Sequence, residues 1–285
     1  MKNLKGKTAV LTGGSKGLGP HIARFLAKEG VNLALTARSE EGLKTTADGL
    51  SRENVKVKIY PADITCQPSR EKILEDIKTD FGQIDLLINN AGMEWISSYT
   101  ALSTDYIEKM IQTNLVAPML LTRMVLPDML DRSIGHIVTI SSLGGKRGNP
   151  YGGTYSATKA GLIEWSKGLR LELSGRGVGV SVICPGFVSE SGMFAVYNKK
   201  PPWISNATTP EKVAGAVMRA IKKDIDEIVV NPGPAWLIPL LDAIHPGIAN
   251  WLYKIGGVYE FYRKQAEDNE KEMAQNRSNK ENVNG

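Results

Sequence analysis

Short apolar runs rich in β-branched residues alternate with longer amphipathic segments along most of the chain. The runs are TAVLTG at 8–13, VNLALTA at 31–37, VKVKIYPAD at 55–63, IDLLINNAG at 84–92, GHIVTISS at 135–142, VGVSVICPG at 178–186 and EIVVN at 227–231. The segments between them repeat apolar residues at helical spacing, as Ile22, Phe25 and Leu26 do. This alternation predicts an α/β fold: a Rossmann-like, doubly wound parallel sheet of about seven strands with helices on both faces.

The alternation stops near residue 235, so residues 1–235 are predicted to form one domain. Within it, the long aromatic segment 187–212 contains paired prolines and is predicted to be a lid over the substrate. Residues 236–263 form an apolar extension that could cover the cleft, pack on a neighbouring subunit or lie on a lipid surface. The polar segment 264–285 is predicted to be disordered.

Composition narrows the class of protein. The 285 residues are 42% apolar and 23% charged, which is typical of a soluble globular protein. The net charge of +5 is scattered, and the absence of a basic run interleaved with aromatics argues against nucleic-acid binding. Cys66 and Cys184 are far apart, so we expect neither a disulfide framework nor a metal site, and a reducing, cytoplasmic location. The sequence contains neither a signal-peptide pattern nor an apolar segment of about 20 residues.

The first apolar run ends in a glycine-rich loop, TGGSKGLG at 12–19, which precedes a predicted helix. Gly13, Gly17 and Gly19 would permit a tight turn and let backbone N–H groups approach an anion at the helix N-terminus. The spacing differs from the commonest dinucleotide fingerprint, and such a loop can be purely structural. Its place directly after the first strand favours a dinucleotide-phosphate site.

The second predicted strand lacks the acid that NAD-binding proteins usually carry at its end, and a basic residue follows it. Ala37 occupies the expected acidic position, Arg38 follows it, and Lys16 adds a positive charge from the glycine loop. A guanidinium can pair bidentately with a 2′-phosphate, so we predict that NADP(H) is preferred over NAD(H). The alternative is that Arg38 is a solvated loop cation. Ser39 is predicted to cap the helix that follows.

Several motifs occur in one order that resembles the short-chain dehydrogenase/reductase family, of the NADP-preferring Tyr-x-x-x-Lys type, over about residues 5–235. They are TGGSKGLG, NNAG at 89–92, Asn114, the serines at 141 and 142, YSATK at 155–159 and PG at 185–186. The resemblance implies the catalytic residues Asn114, Ser142, Tyr155 and Lys159. It also implies a cofactor site formed by Gly13, Ser15, Lys16, Gly17, Leu18, Gly19, Arg38, Asp63, Ile64, Asn90, Ala91, Gly92, Tyr155, Lys159, Pro185, Gly186 and Val188.

The resemblance also implies a role for each catalytic residue. Asn114 would hold a proton-relay water, and Ser142 would orient the substrate carbonyl. Ser142 precedes Tyr155 by thirteen residues, the usual interval in the family, which selects it over Ser141. Tyr155 and Lys159 would form the acid/base pair, and Asp63 would contact the adenine ring.

Two places depart from the family pattern. Glu190, between two serines, stands where the family often has a threonine that contacts the nicotinamide carboxamide, which leaves this contact open. Glu94 and Trp95, directly after the NNAG turn, are unusual and are predicted to face the substrate cleft.

Helical spacing brings Lys159 toward the Tyr155 hydroxyl, because residues four apart share a helix face. At about 5 Å and an effective dielectric constant near 20, the attraction between the ammonium and a phenolate is about 3 kcal/mol. That energy corresponds to about two pKa units. The spacing therefore predicts a lowered pKa for Tyr155.

These expectations together describe an NADPH-dependent carbonyl reductase acting on an apolar or lipid-like ketone. The alternatives are a 3-oxoacyl-thioester reductase, an NAD-dependent secondary alcohol dehydrogenase, and a non-enzymatic nucleotide sensor or membrane-surface scaffold. The resemblance implies a homotetramer or homodimer, and the extension 236–263 suggests contact with a membrane surface.

Overall fold

Seven parallel strands form the central sheet of the protein. The computed structural model describes residues 1–197, 199–233 and 237–284. The described residues also form a separate pair of two short strands. In chain order the strands of both sheets are β1 Thr8–Thr12, β2 Asn32–Ala37, β3 Val57–Pro61, β4 Leu86–Asn89, β5 Gly135–Ile140, β6 Val178–Pro185, β7 Phe187–Val188, β8 Ala207–Thr208 and β9 Glu227–Val230. The sheet order is β3-β2-β1-β4-β5-β6-β9, and β7 pairs only with β8. All seven predicted runs lie in the sheet, which confirms the doubly wound parallel fold.

Helices connect the strands and cover both faces of the sheet. They are α1 Leu18–Lys28, α2 Glu40–Asp48, α3 Gln67–Phe81, α4 Thr104–Ile111, α5 Ala117–Asp131, α6 Gly153–Glu172, α7 Met193–Val196, α8 Pro210–Lys223, α9 Ile238–Ile244, α10 Pro246–Ile255 and α11 Val258–Asn284. A π-helical segment, Gln112–Val116, joins α4 to α5. In the described ranges 1–197, 199–233 and 237–284, no helix is both long and apolar enough to cross a bilayer.

Successive residues of the inner strands face opposite apolar layers. On β1, Leu11 packs with Ile22 of α1 and Val217 of α8, whereas Val10 packs with Ile77 of α3 on the other side. Neighbouring side chains of a strand point to opposite faces, and an apolar layer covers each face of the sheet. Both β1 residues are therefore fully buried. This double burial explains why the strands appear in the sequence as continuous apolar runs.

The C-terminal helices lie over the carboxyl end of the sheet, the first of the three predicted placements. Ile96 and Ile204 pack with Val258, Phe261 and Tyr262 of α11 in a separate apolar cluster. The Phe187 and Phe261 ring centroids are 5.3 Å apart at 72°, a favourable edge-to-face arrangement. The predicted boundary at residues 235 and 236 lies outside the described residues.

The predicted disorder of 264–285 is wrong for 264–284, which continue α11; Gly285 lies outside the described residues. Two side chains of this segment bind the chain after β4. Asn269 Nδ2 donates to Ile96 O at 2.7 Å, and Glu270 Oε1 accepts from Ser98 N at 2.7 Å. These contacts span more than 170 residues, so local composition does not reveal them.

Phe261→Ala should weaken the cap formed by the C-terminal helices. Truncation of a buried phenylalanine costs about 3–5 kcal/mol, because apolar contacts are lost and a cavity remains. Urea unfolding followed by tryptophan fluorescence measures this loss. Leu171→Ala is the matched control: Leu171 is 78% exposed, and its truncation should change the free energy of unfolding by less than about 0.5 kcal/mol. Equal changes in the free energy of unfolding for the two substitutions would contradict the claim that the C-terminal helices unfold together with the sheet.

Candidate active site

A cavity of about 1630 Å³ lies at the carboxyl ends of β1, β4, β5 and β6. The sheet order reverses between β1 and β4, and this is where open α/β sheets bind ligands. The cavity extends from the glycine loop after β1 to the lid segment and α11. Almost all of the predicted cofactor residues lie on its wall; Gly19 packs behind it.

Glycines are required in the loop between β1 and α1. Gly13 and Gly17 have φ angles of 68° and 65°, in the left-handed region that side chains disfavour. A Cβ added to Gly19 would lie 2.2 Å from Gly13 O, and one added to Gly13 would lie 2.9 Å from Ala91 Cα. The loop leads into the positive N-terminal end of α1, whose first turn carries no acidic residue. Both features fit a dinucleotide diphosphate.

The turn after β4 is bonded to the glycine loop. Thr12 Oγ1 accepts from Asn90 N and from Ala91 N, each at 3.0 Å. Asn90 Nδ2 donates to Thr12 O at 2.9 Å and to Gly13 O at 3.2 Å. The two predicted cofactor loops therefore form one rigid unit.

Basic and acidic groups meet at the other end of the predicted cofactor site. Arg38, Lys16 and Asp63 all line the cavity. Burial acts to raise the pKa of Asp63, but hydrogen bonds from Thr65 and the charge of Arg38 outweigh it and hold the pKa below its usual value. Ser39 Oγ accepts from Gly42 N at 3.1 Å, which is the predicted cap of α2. Arg38 thus lines the cavity near Asp63, which is bonded to Thr65, and directly precedes Ser39, which caps α2.

Tyr155 and Lys159 lie on one face of α6, almost fully buried, and both line the cavity. Ser142 lies close enough to the Tyr155 hydroxyl to act on its pKa, and its Oγ accepts from Gly144 N at 3.0 Å. Ser141 instead donates its hydroxyl to Lys159 O at 2.8 Å. The structure therefore brings Ser142, and not Ser141, to the tyrosine.

The pKa of Tyr155 differs from the sequence-based expectation. Burial raises it well above its usual value, the charge of Glu94 raises it further, and the nearby Ser142 hydroxyl opposes both. Burial also lowers the pKa of Lys159 to about 8, against the nearby Glu94. The ammonium donates to Ile140 O at 2.9 Å, and its nitrogen lies 5.7 Å from the Tyr155 ring centroid. The predicted lowering is wrong for this chain alone, because burial and the charge of Glu94 together raise the pKa of Tyr155.

Asn114 lies behind the cavity wall, fully buried in the π-helical segment. Its side chain accepts from Met93 N and donates to Met93 O, each at 2.8 Å, and donates to Thr158 Oγ1 at 3.2 Å. These bonds join the turn after β4 to α6. The predicted water relay stays a prediction, and what the geometry shows is a structural connection.

The lid segment closes the cavity above the glycine loop. A Cβ on Gly17 would lie 3.4 Å from Gly192 Cα, so the two loops are in close contact. Ser189 donates its hydroxyl to Thr208 O at 3.1 Å, whereas Glu190 and Ser191 line the cavity. Of the two serines that could replace the missing threonine, Ser191 lines the cavity and Ser189 does not, and the nicotinamide contact stays a prediction.

Sequence reasoning pointed to Tyr197 of the lid but missed two further aromatic residues of the cavity wall. Tyr253 and Tyr262 come from the C-terminal helices. Asn149 binds both, since its Nδ2 donates to Tyr262 OH at 2.8 Å and its Oδ1 accepts from Tyr253 OH at 3.4 Å. Their signal in the sequence was the apolar character of the extension, which did not reveal which side chains point inward.

The family is settled by the length and position of one match. A model of the short chain dehydrogenase family matches residues 7–202, which include the glycine loop, the turn after β4 and the Tyr155–Lys159 helix. The chain belongs to this family. It is therefore an NAD(P)-dependent oxidoreductase that acts on CH–OH or C=O groups.

Relatives of this short-chain dehydrogenase include ketoacyl reductases. The chain is 39% identical to the ketoacyl reductase HetN of Nostoc sp. strain PCC 7120 over 277 residues, which cover 95% of this chain and 96% of the relative. It is 37% identical to the 3-oxoacyl-[acyl-carrier-protein] reductase FabG of Escherichia coli strain K12 over 186 residues, 65% of this chain and 75% of the relative.

Two solved structures resemble this short-chain dehydrogenase. A metagenomic short-chain oxidoreductase in complex with NADP has a TM-score of 0.70 and 29% identity, covering 80% of this chain and 98% of its own. A variant of actinorhodin polyketide ketoreductase with NADPH has a TM-score of 0.73 and 30% identity, covering 81% of this chain and 97% of its own.

Tyr155→Phe should reduce kcat at least about 100-fold, since general acids contribute about 10²–10⁴ in rate. Cofactor binding should persist, because the ring remains in place. NADPH oxidation measures the first effect and fluorescence titration of NADPH the second. Tyr60→Phe is the control, since it removes a hydroxyl that donates to Asp80 Oδ2 at 2.7 Å, outside the cavity. Equal turnover in the two variants would refute the assigned acid.

Proposed function

We propose that this short-chain dehydrogenase is an NADPH-dependent reductase of an apolar, lipid-like ketone, with Tyr155 as the general acid. One observation carries the proposal. The buried Tyr155 lies close to Lys159 and, together with Ser142, lines the same cavity as the glycine loop. A proton donor and a dinucleotide-phosphate loop thus share one enclosed space.

Reduction of a ketone needs a hydride on carbon and a proton on oxygen. A bound reduced nicotinamide supplies the hydride. Ser142 donates a hydrogen bond to the carbonyl oxygen as negative charge develops there, which stabilises the transition state more than the ground state. Tyr155 then protonates this oxygen, and the Lys159 ammonium stabilises the phenolate that remains.

The raised pKa of Tyr155 fits the role of proton donor. Burial keeps the hydroxyl protonated at neutral pH, so in ketone reduction the proton is present before the reaction begins.

Arg38 and Lys16 support NADPH as the cofactor. Both cations line the end of the cavity next to Asp63, where a 2′-phosphate would be attracted. Gly13, Gly17 and the turn at Asn90 would hold the diphosphate and the adjoining ribose. The solved relatives named with NADP and NADPH are consistent with this choice.

The lining of the lid side supports an apolar substrate. The cavity that contains Ser142 is also lined by the apolar side chains of Phe187, Met193, Phe194 and Val258. A 3-oxoacyl thioester is the second candidate, and the names of the ketoacyl-reductase relatives favour it. NADPH oxidation with aryl ketones, sterol ketones and acetoacetyl-coenzyme A as acceptors tests both; oxidation with none of them would refute the proposal.

Arg38→Asp should lower kcat/KM for NADPH about 10- to 100-fold, because charged hydrogen bonds contribute about 1.5–3 kcal/mol. The value for NADH should change little or rise. Arg52→Asp is the control, since it makes the same change in charge at an exposed residue away from the cavity. Equal losses with both cofactors in Arg38→Asp would refute the assignment.

We also propose that the protein is a homo-oligomer and that α9 and α10 rest on a phospholipid surface. These helices expose Leu240, Ile244, Ile248, Trp251 and Ile255. The exposed Lys254 lies on α10, while the acid of α9, Asp242, is paired with Arg147 at 3.5 Å. An apolar surface that carries an exposed lysine complements an anionic bilayer. Pro239 and Tyr253 line the cavity from the same segment, which would give a lipid-like ketone a short route inward.

Ile244→Glu with Trp251→Glu should abolish sedimentation with vesicles of equal parts phosphatidylcholine and phosphatidylglycerol. Charged residues do not enter the interface, so bound protein should move to the supernatant. Leu171→Glu, at an exposed site on α6, should sediment like the unchanged protein. Absence of sedimentation in the unchanged protein would refute the contact with phospholipid. A smaller oligomer in the double variant, measured by light scattering, would instead assign this surface to another copy of the chain.

A further inference from the structure

Glu94 is an acidic residue in the cavity that ketone reduction does not require. It follows the turn formed by Asn90 and Gly92 and lines the cavity. One carboxylate oxygen, Oε2, accepts from Tyr197 OH at 3.0 Å. Among the residues that the structure describes, none donates a hydrogen bond to the other oxygen, Oε1. The side chain therefore has an acceptor available to a molecule in the cavity.

The backbone on both sides of Glu94 is fixed. Met93 exchanges two hydrogen bonds of 2.8 Å with the Asn114 side chain. Trp95 stacks on Tyr106 with ring centroids 4.6 Å apart. Glu94 lies in the irregular segment after β4, and these contacts of its two neighbours hold the backbone that carries the carboxylate.

Titratable groups from three elements surround Glu94. Tyr197 of the lid donates to it, Tyr155 and Lys159 face it from α6, and Tyr262 faces it from α11. Lys159 Nζ donates to Ile140 O at 2.9 Å, and no salt bridge joins it to Glu94 among the residues that the structure describes. Because Glu94 raises the pKa of Tyr155, its charge lies close to the place where the substrate carbonyl would bind.

A carboxylate in such a place distinguishes ketones by the group next to the carbonyl. A hydroxyl or amine can donate to Oε1, whereas a ketone without a donor leaves a desolvated acceptor unpaired. A carboxylate or phosphate in the same place would be repelled at low local dielectric. Polar sites of this kind reject analogues that lack the expected group more strongly than apolar pockets do.

We propose that Glu94 is a specificity-determining residue that binds a hydroxyl or amine beside the reacting carbonyl and excludes ketones with an anionic group there. The preferred substrate class is then an apolar α-hydroxy or α-amino ketone. This inference rests on the proposed reductase function, of which it narrows the substrate.

Three aryl ketones of similar size test the proposal: 2-hydroxyacetophenone has the donor, acetophenone lacks it, and benzoylformate carries an anion. Each is titrated calorimetrically into the protein complexed with NADP⁺, so that binding is measured without turnover. The measurement is made about one unit above the Glu94 pKa, which burial raises to about 7. We expect 2-hydroxyacetophenone to bind about 10-fold more tightly than acetophenone, as for a hydrogen bond to a charged group. Benzoylformate should bind more weakly than both.

Two variants separate recognition from a purely structural role. Glu94→Gln still accepts the bond from Tyr197 but has no charge, so the preference for 2-hydroxyacetophenone should shrink and benzoylformate binding should rise at least about 10-fold. Tyr197→Phe removes that bond and leaves the carboxylate, so the order of the three ketones should be unchanged.

Specific outcomes would overturn the inference. The first is that the unchanged protein shows no preference among the three ketones, or binds none of them. The second is that Glu94→Gln and Tyr197→Phe change the ketone affinities equally, which would assign Glu94 to holding the lid. Turnover is measured separately with NADPH. Binding in the expected order without NADPH oxidation would refute the reductase proposal and leave the recognition role standing.

Discussion

Burial of the central sheet on both faces determines where this protein can place polar chemistry. Charged groups inside such a sheet would cost several kcal/mol each. The buried His136 of β5 is accordingly paired, with its Nε2 at 2.8 Å from Ser181 Oγ. The carboxyl edge is the remaining place where unpaired groups can meet in the middle of the molecule. Arg38, Glu94 and Lys159 all lie along the cavity at this edge. Desolvation there also has the largest effect on the pKa values of Glu94, Tyr155 and Lys159.

Much of this arrangement could be predicted from the sequence because it depends on local patterns. The β-branched runs specify buried strands, and parallel strands bring their carboxyl ends together, so motifs far apart in the chain meet in one place. The choice of Ser142 over Ser141 followed from its interval to Tyr155. The structure supplies the physical reason, since Ser141 is used in a bond to Lys159 O.

The C-terminal part and the electrostatics could not be predicted in this way. The polar segment after residue 264 resembles a disordered tail in composition, and its helix is held by Asn269 and Glu270 through contacts with the chain after β4. The pKa of Tyr155 could not be predicted from local sequence for the same reason. Its spacing from Lys159 is local, but burial under α11 and the charge of Glu94 come from distant residues. Pairwise spacing predicts the partners, whereas the whole fold determines the sign of the shift.

The contact between Gly17 and Gly192 constrains how this active site can change during evolution. Both residues have positive φ, and a Cβ on Gly17 would meet the Gly192 backbone at 3.4 Å. A side chain at Gly17 would therefore combine backbone strain with crowding against the lid, and one at Gly192 would add the same kind of strain. The backbone path of the lid is consequently tied to that of the glycine loop. Substrate range can diversify through side chains of the lid such as Phe194 and Tyr197, while the loop that carries them stays where the glycine loop requires it.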